Sequence, residues 1–343
     1  DANLKVTGGH VTDASGDDII FRGLDATTCG GPSSCTLDHQ IEKYVNTTGE
    51  LVAWVRLPSV NTSAAGSNTV IYVYYGDSSI TTPTENPTGV WDANHVAVWH
   101  LKESGNGTAN EFVDSTSNAN HGRGGNGTSS KVPTQLAAGQ IGFGQTFDNT
   151  DDYVQIANSA SLGITGSITV STWVKRTNLG FAAFVTKTNF ARYDYQFQYN
   201  SADQVDLYRD GVAPLDIFST PTIVDAVWHH VVVTSLAGVP KVGTFYIDGA
   251  AVAGGGTQNG AFNNNPDPVI LGYDAETNSA IGGSLDELRL SNTARSACWI
   301  KADYNNQSSP STFYTVGAEA TIATFSSAAN QSFVVGQAAT TAS

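Results

Sequence analysis

Trp228-His229-His230-Val231-Val232-Val233-Thr234, Phe245-Tyr246-Ile247-Asp248-Gly249 and Ser284-Leu285-Asp286-Glu287-Leu288-Arg289-Leu290-Ser291 decide how this chain is read. All three are short and bounded by turn formers; the first two are rich in β-branched and aromatic residues and the third sets Leu against polar neighbours, which is how half-buried strands read. Phe147-Asp148-Asn149-Thr150-Asp151-Asp152-Tyr153-Val154-Gln155-Ile156 adds two more strands around an acidic turn. Working outward, strands are expected over 168–175, 182–186, 196–199, 204–209 and 269–273, and upstream over 51–57, 69–75 and 95–101. Many short strands with regularly spaced turns argue for an all-β protein, an antiparallel β-sandwich. One short helix is expected, around Ser296-Ala297-Cys298-Trp299-Ile300-Lys301-Ala302-Asp303-Tyr304.

At 343 residues the chain is long enough for two domains. Charged residues make up 14%, and their balance is −15. Such an acidic surface repels phosphate backbones, which argues against nucleic acid as a partner. No apolar run reaches the roughly 20 residues that span a bilayer, so no membrane insertion is expected within this segment. Met is absent, and the chain reads as a mature or excised piece.

The strands quoted above, with Phe147 to Ile156, resemble the laminin-G-like, concanavalin A-like lectin/glucanase family. Ile41-Glu42-Lys43-Tyr44, Gly49 to Pro58, Val70-Ile71-Tyr72-Val73-Tyr74-Tyr75-Gly76 and Gly89-Val90-Trp91-Asp92 resemble the bacterial domain of unknown function DUF2341. The resemblance implies a smaller β-domain over 1–92 and a jelly-roll sandwich over 93–318. Residues 319–343 read as a linker or the opening strand of a further domain, since Thr321 to Phe325 and Gln331 to Val335 alternate like strands. It further implies an extracellular or cell-surface protein that binds a glycan or surface glycoprotein and performs no catalysis.

Asp114-Ser115-Thr116-Ser117-Asn118-Ala119-Asn120-His121-Gly122 gathers oxygen donors of the kind Ca²⁺ takes. The resemblance implies that such a loop meets the acid of the last strand. That gives Asp114, Asn118, Asn120 and Asp286 as a structural Ca²⁺ set; the alternative is that Asp114 and Asn118 close Asx-turns. Phe190, Arg192, Tyr193 and Tyr195 form a candidate ligand face, or else an ordinary hairpin with one buried side. Trp54, Trp99, Trp173 and Trp228 lie in alternating strands and are expected in the core. Cys29 and Cys35 flank a short Gly/Pro loop and read as a local disulfide, with zinc as the rival. Cys298 is expected to be a buried thiol.

An enzymatic reading finds little support. Asp286 and Glu287 are adjacent, so strict alternation places them on opposite faces of a strand, and no Gly-x-Ser-x-Gly elbow is present. The alternative function is a structural subunit of an extracellular filament or stalk, self-associating by strand exchange through its termini.

Overall fold

A computed structural model describes residues 1–60, 68–188, 193–209, 216–238, 243–256, 264–320 and 338–342. Two compact units divide the chain: Asp1–Trp91 together with Ser309–Ser343, and Asp92–Ser308.

The first unit contains β1 (Ile20–Gly23), β2 (Cys35–Thr36), β3 (His39–Val45), β4 (Glu50–Val55), β5 (Thr69–Tyr74) and the short helix α1 (Pro87–Val90). β3 and β4 form a hairpin whose turn ends at Gly49 with φ +69°. Val11, Ile19, Phe21, Leu37, Val73 and Tyr75 form its core. The structure joins Cys29 to Cys35. Gly23 sits against both sulfurs, and a Cβ there would come within 2.8 Å of Cys29 Sγ.

The second unit opens with β6 (His95–Trp99), β7 (Gly122–Gly124), β8 (Thr134–Leu136), β9 (Gly144–Asp148) and β10 (Val154–Ile156). β11 (Ile168–Arg176), β12 (Ala182–Thr188), β13 (Tyr193–Tyr199), β14 (Gln204–Tyr208), β15 (Asp216–Thr222) and β16 (His229–Ser235) follow. Then come β17 (Gly243–Ile247), β18 (Ala250–Val252), β19 (Gly254–Gly256), β20 (Val269–Leu271), β21 (Tyr273–Asp274), β22 (Ser279–Ala280) and β23 (Gly282–Ser291). β21 and β22 pair with each other, and the rest make two eight-stranded sheets: β18-β17-β16-β11-β23-β9-β8 with β6 on β23, and β19-β15-β14-β13-β12-β20-β10-β7. The pairings within both sheets are antiparallel. Phe147, Val170, Phe184, Tyr195, Phe197, Leu207, Leu271 and Leu285 share one buried cluster drawn from both sheets. That cluster makes the pair of sheets a sandwich.

β23 departs from strict alternation. Glu287 has φ +52°, and the register with β11 slips between Ser171 and Trp173. The bulge puts Leu285 and Leu288, three apart, both in the core cluster. Asp286 and Glu287 are therefore both turned from the core, where alternation places them on opposite faces.

Helix α2 (Ala297–Ser308) lies over the outer face of the first sheet. Ser296 Oγ accepts the Trp299 N–H at 3.2 Å and caps the helix start. Trp173 Nε1 donates to Gln307 Oε1 at 2.7 Å, and its ring stacks on Tyr304 at 5.7 Å. Beneath the helix, His100 Nδ1 meets Glu287 at 2.6 Å, Arg289 bonds Glu287 at 2.7 Å, and Arg289 reaches Asp303 at 3.0 Å. Arg295 grips Asp92 with both guanidinium nitrogens and lies over the Trp299 ring. Ile300 faces the sheet, so Cys298, roughly 200° around the helix, is exposed rather than buried. Trp99 and Trp173 are buried as expected, whereas Trp54 and Trp228 are half-exposed.

After α3 (Pro310–Phe313) come β24 (Tyr314–Val316) and β25 (Ala338–Ala342). β25 pairs antiparallel with both β5 and β24, which completes a five-stranded sheet of the first unit, β2-β1-β5-β25-β24. The strands expected over 321–335 lie outside the described residues.

Candidate ligand-binding face

In the second sandwich sheet, Tyr195, Phe197 and Tyr199 of β13 and Val205 and Leu207 of β14 point into the core. Alternation then sends Gln196, Gln198 and Asp206 to the outer face. Cross-strand register lines them up: Gln198 opposes Asp206, which opposes Phe218, and Gln196 opposes Tyr208. These polar side chains are themselves buried, at 3%, 5% and 2% exposure.

They form one hydrogen-bonded chain. Gln198 Nε2 donates to Asp206 Oδ2 at 3.0 Å, and Gln196 Nε2 donates to Gln198 Oε1 at 2.6 Å and to Asp274 Oδ2 at 3.1 Å. Asp274 also accepts from Thr277 Oγ1 at 2.6 Å and from the Glu276 N–H at 3.0 Å. Its hairpin, β21–β22, is swung onto the sheet by Gly272 at φ +84°, where a Cβ would strike the Phe147 ring. At this end the chain pins the hairpin. At the other end Asp206 Oδ1 is buried with no hydrogen-bond partner among the described residues. Burial pushes the Asp206 carboxyl up to about 7, with the Gln198 bond opposing the rise and Asp216 adding to it. Half-exposed Tyr208 and Phe218 flank this end.

Of the four residues expected at a ligand face, Phe190 and Arg192 lie outside the described residues. Tyr193 and Tyr195 part company because the register slips between Lys187 and Thr188, which inserts Asp194 as an extra residue. Tyr195 is fully buried in the core and bonds the Leu162 carbonyl at 3.3 Å, so it does not belong to a ligand face. Tyr193 packs edge-on to Tyr208 at 4.9 Å and meets Glu276, at the margin of the polar chain.

Asp114, Asn118 and Asn120 come together as expected, but with different roles. Asp114 Oδ1 accepts the Val98 and Thr116 N–H groups at 2.9 Å each, and Oδ2 accepts Thr116 Oγ1 at 2.9 Å and the Asn120 N–H at 2.8 Å. Asn118 and Asn120 donate their amides to the Val96 carbonyl, and Asn120 Oδ1 takes the Ser159 hydroxyl at 2.6 Å. Asp286 instead accepts the Ile141 N–H at 2.8 Å. β6 lies between the two acids: Trp99 bridges Asp114 on one side and pairs with Leu288 of β23 on the other. Two strand spacings are about 10 Å. The four residues do not fit one calcium shell, because four donors already point at the Asp114 carboxylate and the fourth ligand is held elsewhere. Asp114 is the loop's turn-closing residue. Asp148 and Asp152 similarly organise the turn after β9 through backbone N–H bonds.

Residues 22–118 match the domain of unknown function DUF2341, and residues 147–301 match the concanavalin A-like lectin/glucanases superfamily. The chain carries these two modules in that order. The DUF2341 match runs past Trp91 through β6 to the Asp114 loop, which lies in the second unit. None of the curated proteins matches the chain. Among solved structures, it is similar to the binding domain of Paraclostridial Mosquitocidal Protein 1, with 16% identity, TM-score 0.49, and coverage of 66% of this chain and 54% of that one. It is also similar to domain 4 of AbnA, an extracellular arabinanase from Geobacillus stearothermophilus in complex with arabinotriose, with 17% identity, TM-score 0.46, and coverage of 62% and 99%. A Trypanosoma rangeli sialidase is similar at 16% identity and TM-score 0.46, over 64% of this chain and 34% of that one. The chain spans about half the length of the toxin binding domain. No described helix is long and apolar enough to cross a membrane.

The polar chain escaped sequence reading because Gln and Asp at alternate strand positions look like any solvent face. The available signal was Tyr193-Asp194-Tyr195-Gln196-Phe197-Gln198-Tyr199 beside Val205-Asp206-Leu207, where aromatic and aliphatic residues frame uncharged amides instead of the usual Lys and Glu.

Two predictions follow from the geometry. Asp114→Ala orphans four donors and is expected to cost roughly 3 kcal/mol. The drop in Tm by calorimetry should be the same in Ca²⁺ and in EDTA, whereas a drop confined to Ca²⁺ would restore the metal. Asp206 has a folded pKa raised from 3.8 to about 7. The proton is held more tightly in the folded state, so its stabilisation is full below about pH 4 and is lost as pH rises towards 7. The Tm of wild type should therefore decline more than that of Asp206→Asn between pH 4 and 8; parallel profiles would refute the assignment.

Proposed function

We propose that this chain is a non-catalytic segment of an extracellular or cell-surface protein, and that its lectin-like module binds a glycan on the outer face of the second sandwich sheet. The observation that carries the reading is the Asp206–Gln198–Gln196–Asp274 chain with its unengaged carboxyl oxygen. A sheet face that only meets water has no need of a buried amide ladder, and a buried polar atom without a partner is costly. Carboxylates and amides fix sugar hydroxyls in place, and Tyr208 and Phe218 supply apolar edges for a pyranose face. The Cys29–Cys35 bridge supports an oxidising compartment. Two glutamines separate the carboxyls of Asp206 and Asp274, and both oxygens of Asp274 are spent on hydrogen bonds, an arrangement suited to holding a ligand rather than to acid–base work on it.

A printed glycan array is the direct test. Wild type should give a defined set of hits, and Gln198→Ala should lose them about tenfold while its Tm stays within a few degrees. An array blank for wild type would sink the reading.

A second reading rests on β25. The last described strand lies between β5 and β24, a position that an equivalent strand from a neighbouring copy would fill equally well. On this reading the chain assembles head to tail into a filament or stalk. Light scattering should then find oligomers of the full chain and monomers of a chain ending at Ala320; monomers of both would remove it.

A further inference from the structure

Resting on the glycan-face reading above, we infer that this face selects neutral saccharides and rejects sialylated, sulfated or uronate-bearing ones. Direction of hydrogen bonding is the first reason. Three of the four amide protons of Gln196 and Gln198 are spent inside the chain, on Asp274, on Gln198 Oε1 and on Asp206. What the chain leaves over is an oxygen, Asp206 Oδ1, buried to 2% exposure. At pH 8, above the raised Asp206 pKa of about 7, the carboxyl is ionised and this oxygen accepts and cannot donate, so it pairs with a sugar hydroxyl or an amino group and repels another carboxylate.

Charge is the second reason. Asp206, Asp216, Asp274 and Glu276 sit on or over the outer face around the ladder. The described cations on the neighbouring strands are committed elsewhere: Lys187 to Asp194 at 2.7 Å, and Arg209 to the Asp194 carbonyl at 2.8 Å. Arg123 lies at the far edge, on β7, and bonds the Gly107 carbonyl at 2.7 Å. The whole chain carries −15, so the long-range field opposes an anionic sugar as well.

The experiment compares matched pairs on the full chain by titration calorimetry at pH 8: lactose against 3′-sialyllactose, and arabinotriose and cellotriose against trigalacturonate. At least one neutral saccharide should bind, its anionic counterpart should bind about tenfold more weakly or not at all, and 0.5 M NaCl should narrow the gap. The double variant Asp216→Lys, Glu276→Lys should narrow it further while leaving the neutral affinity within about twofold. Equal or tighter binding of an anionic member overturns the selectivity and leaves the glycan reading standing. Binding of neither class, in wild type and in the double variant, overturns the glycan reading and the selectivity together.

Discussion

The second unit is organised by β23. All ten of its residues, Gly282–Ser291, are buried, and it pairs with β11 along one edge and with β9 and β6 along the other. A strand with neighbours on both edges and matter on both faces has to satisfy two chemistries at once. On one face Leu285, Leu288 and Leu290 enter the sandwich core; on the other Glu287 and Arg289 form an ion chain with His100 and Asp303. Removing one partner from such a chain leaves a buried charge uncompensated. The bulge at Glu287 is what lets consecutive acids share the polar side, and the docking of α2 follows from it, because Asp303 of the helix completes the chain.

The two sheets therefore treat their outer faces differently. The first is roofed by α2 through Trp173, Gln307 and Tyr304, and its polar groups serve packing. The second carries the β21–β22 hairpin through the Gln196–Asp274 bond, and its polar ladder ends in an oxygen without a hydrogen-bond partner among the described residues. The hairpin end of the ladder is accounted for by structure; the Asp206 end is what the proposed saccharide would engage.

Fold and site were unequally legible in the sequence. Runs such as Tyr195 to Tyr199 and Val205 to Leu207 carry the two-residue period that one buried face imposes, so the all-β sandwich could be read from composition and alternation alone. Bulges could not: the slips at Asp194 and Glu287 change which face a side chain meets without changing residue type, and they separated Tyr193 from Tyr195 and brought Asp286 and Glu287 to one side. The Asp114 loop shows a different limit. Asp, Asn and Gly at close spacing serve a turn and a calcium shell equally well on paper, and only the four donors converging on Asp114 distinguish them. The exposure of Cys298 turns on the helix phase, which buried Ile300 fixes and residue type alone does not.

On the proposed function, a saccharide sits on the outer face of the second sheet. Hydrogen–deuterium exchange with and without a saturating array hit tests this most directly, because it locates the ligand without presuming the residues. The account predicts added protection confined to β13, β14 and the β21–β22 hairpin. Protection centred on the Asp114 loop or on α2, with the β13–β14 amides unchanged, would contradict it.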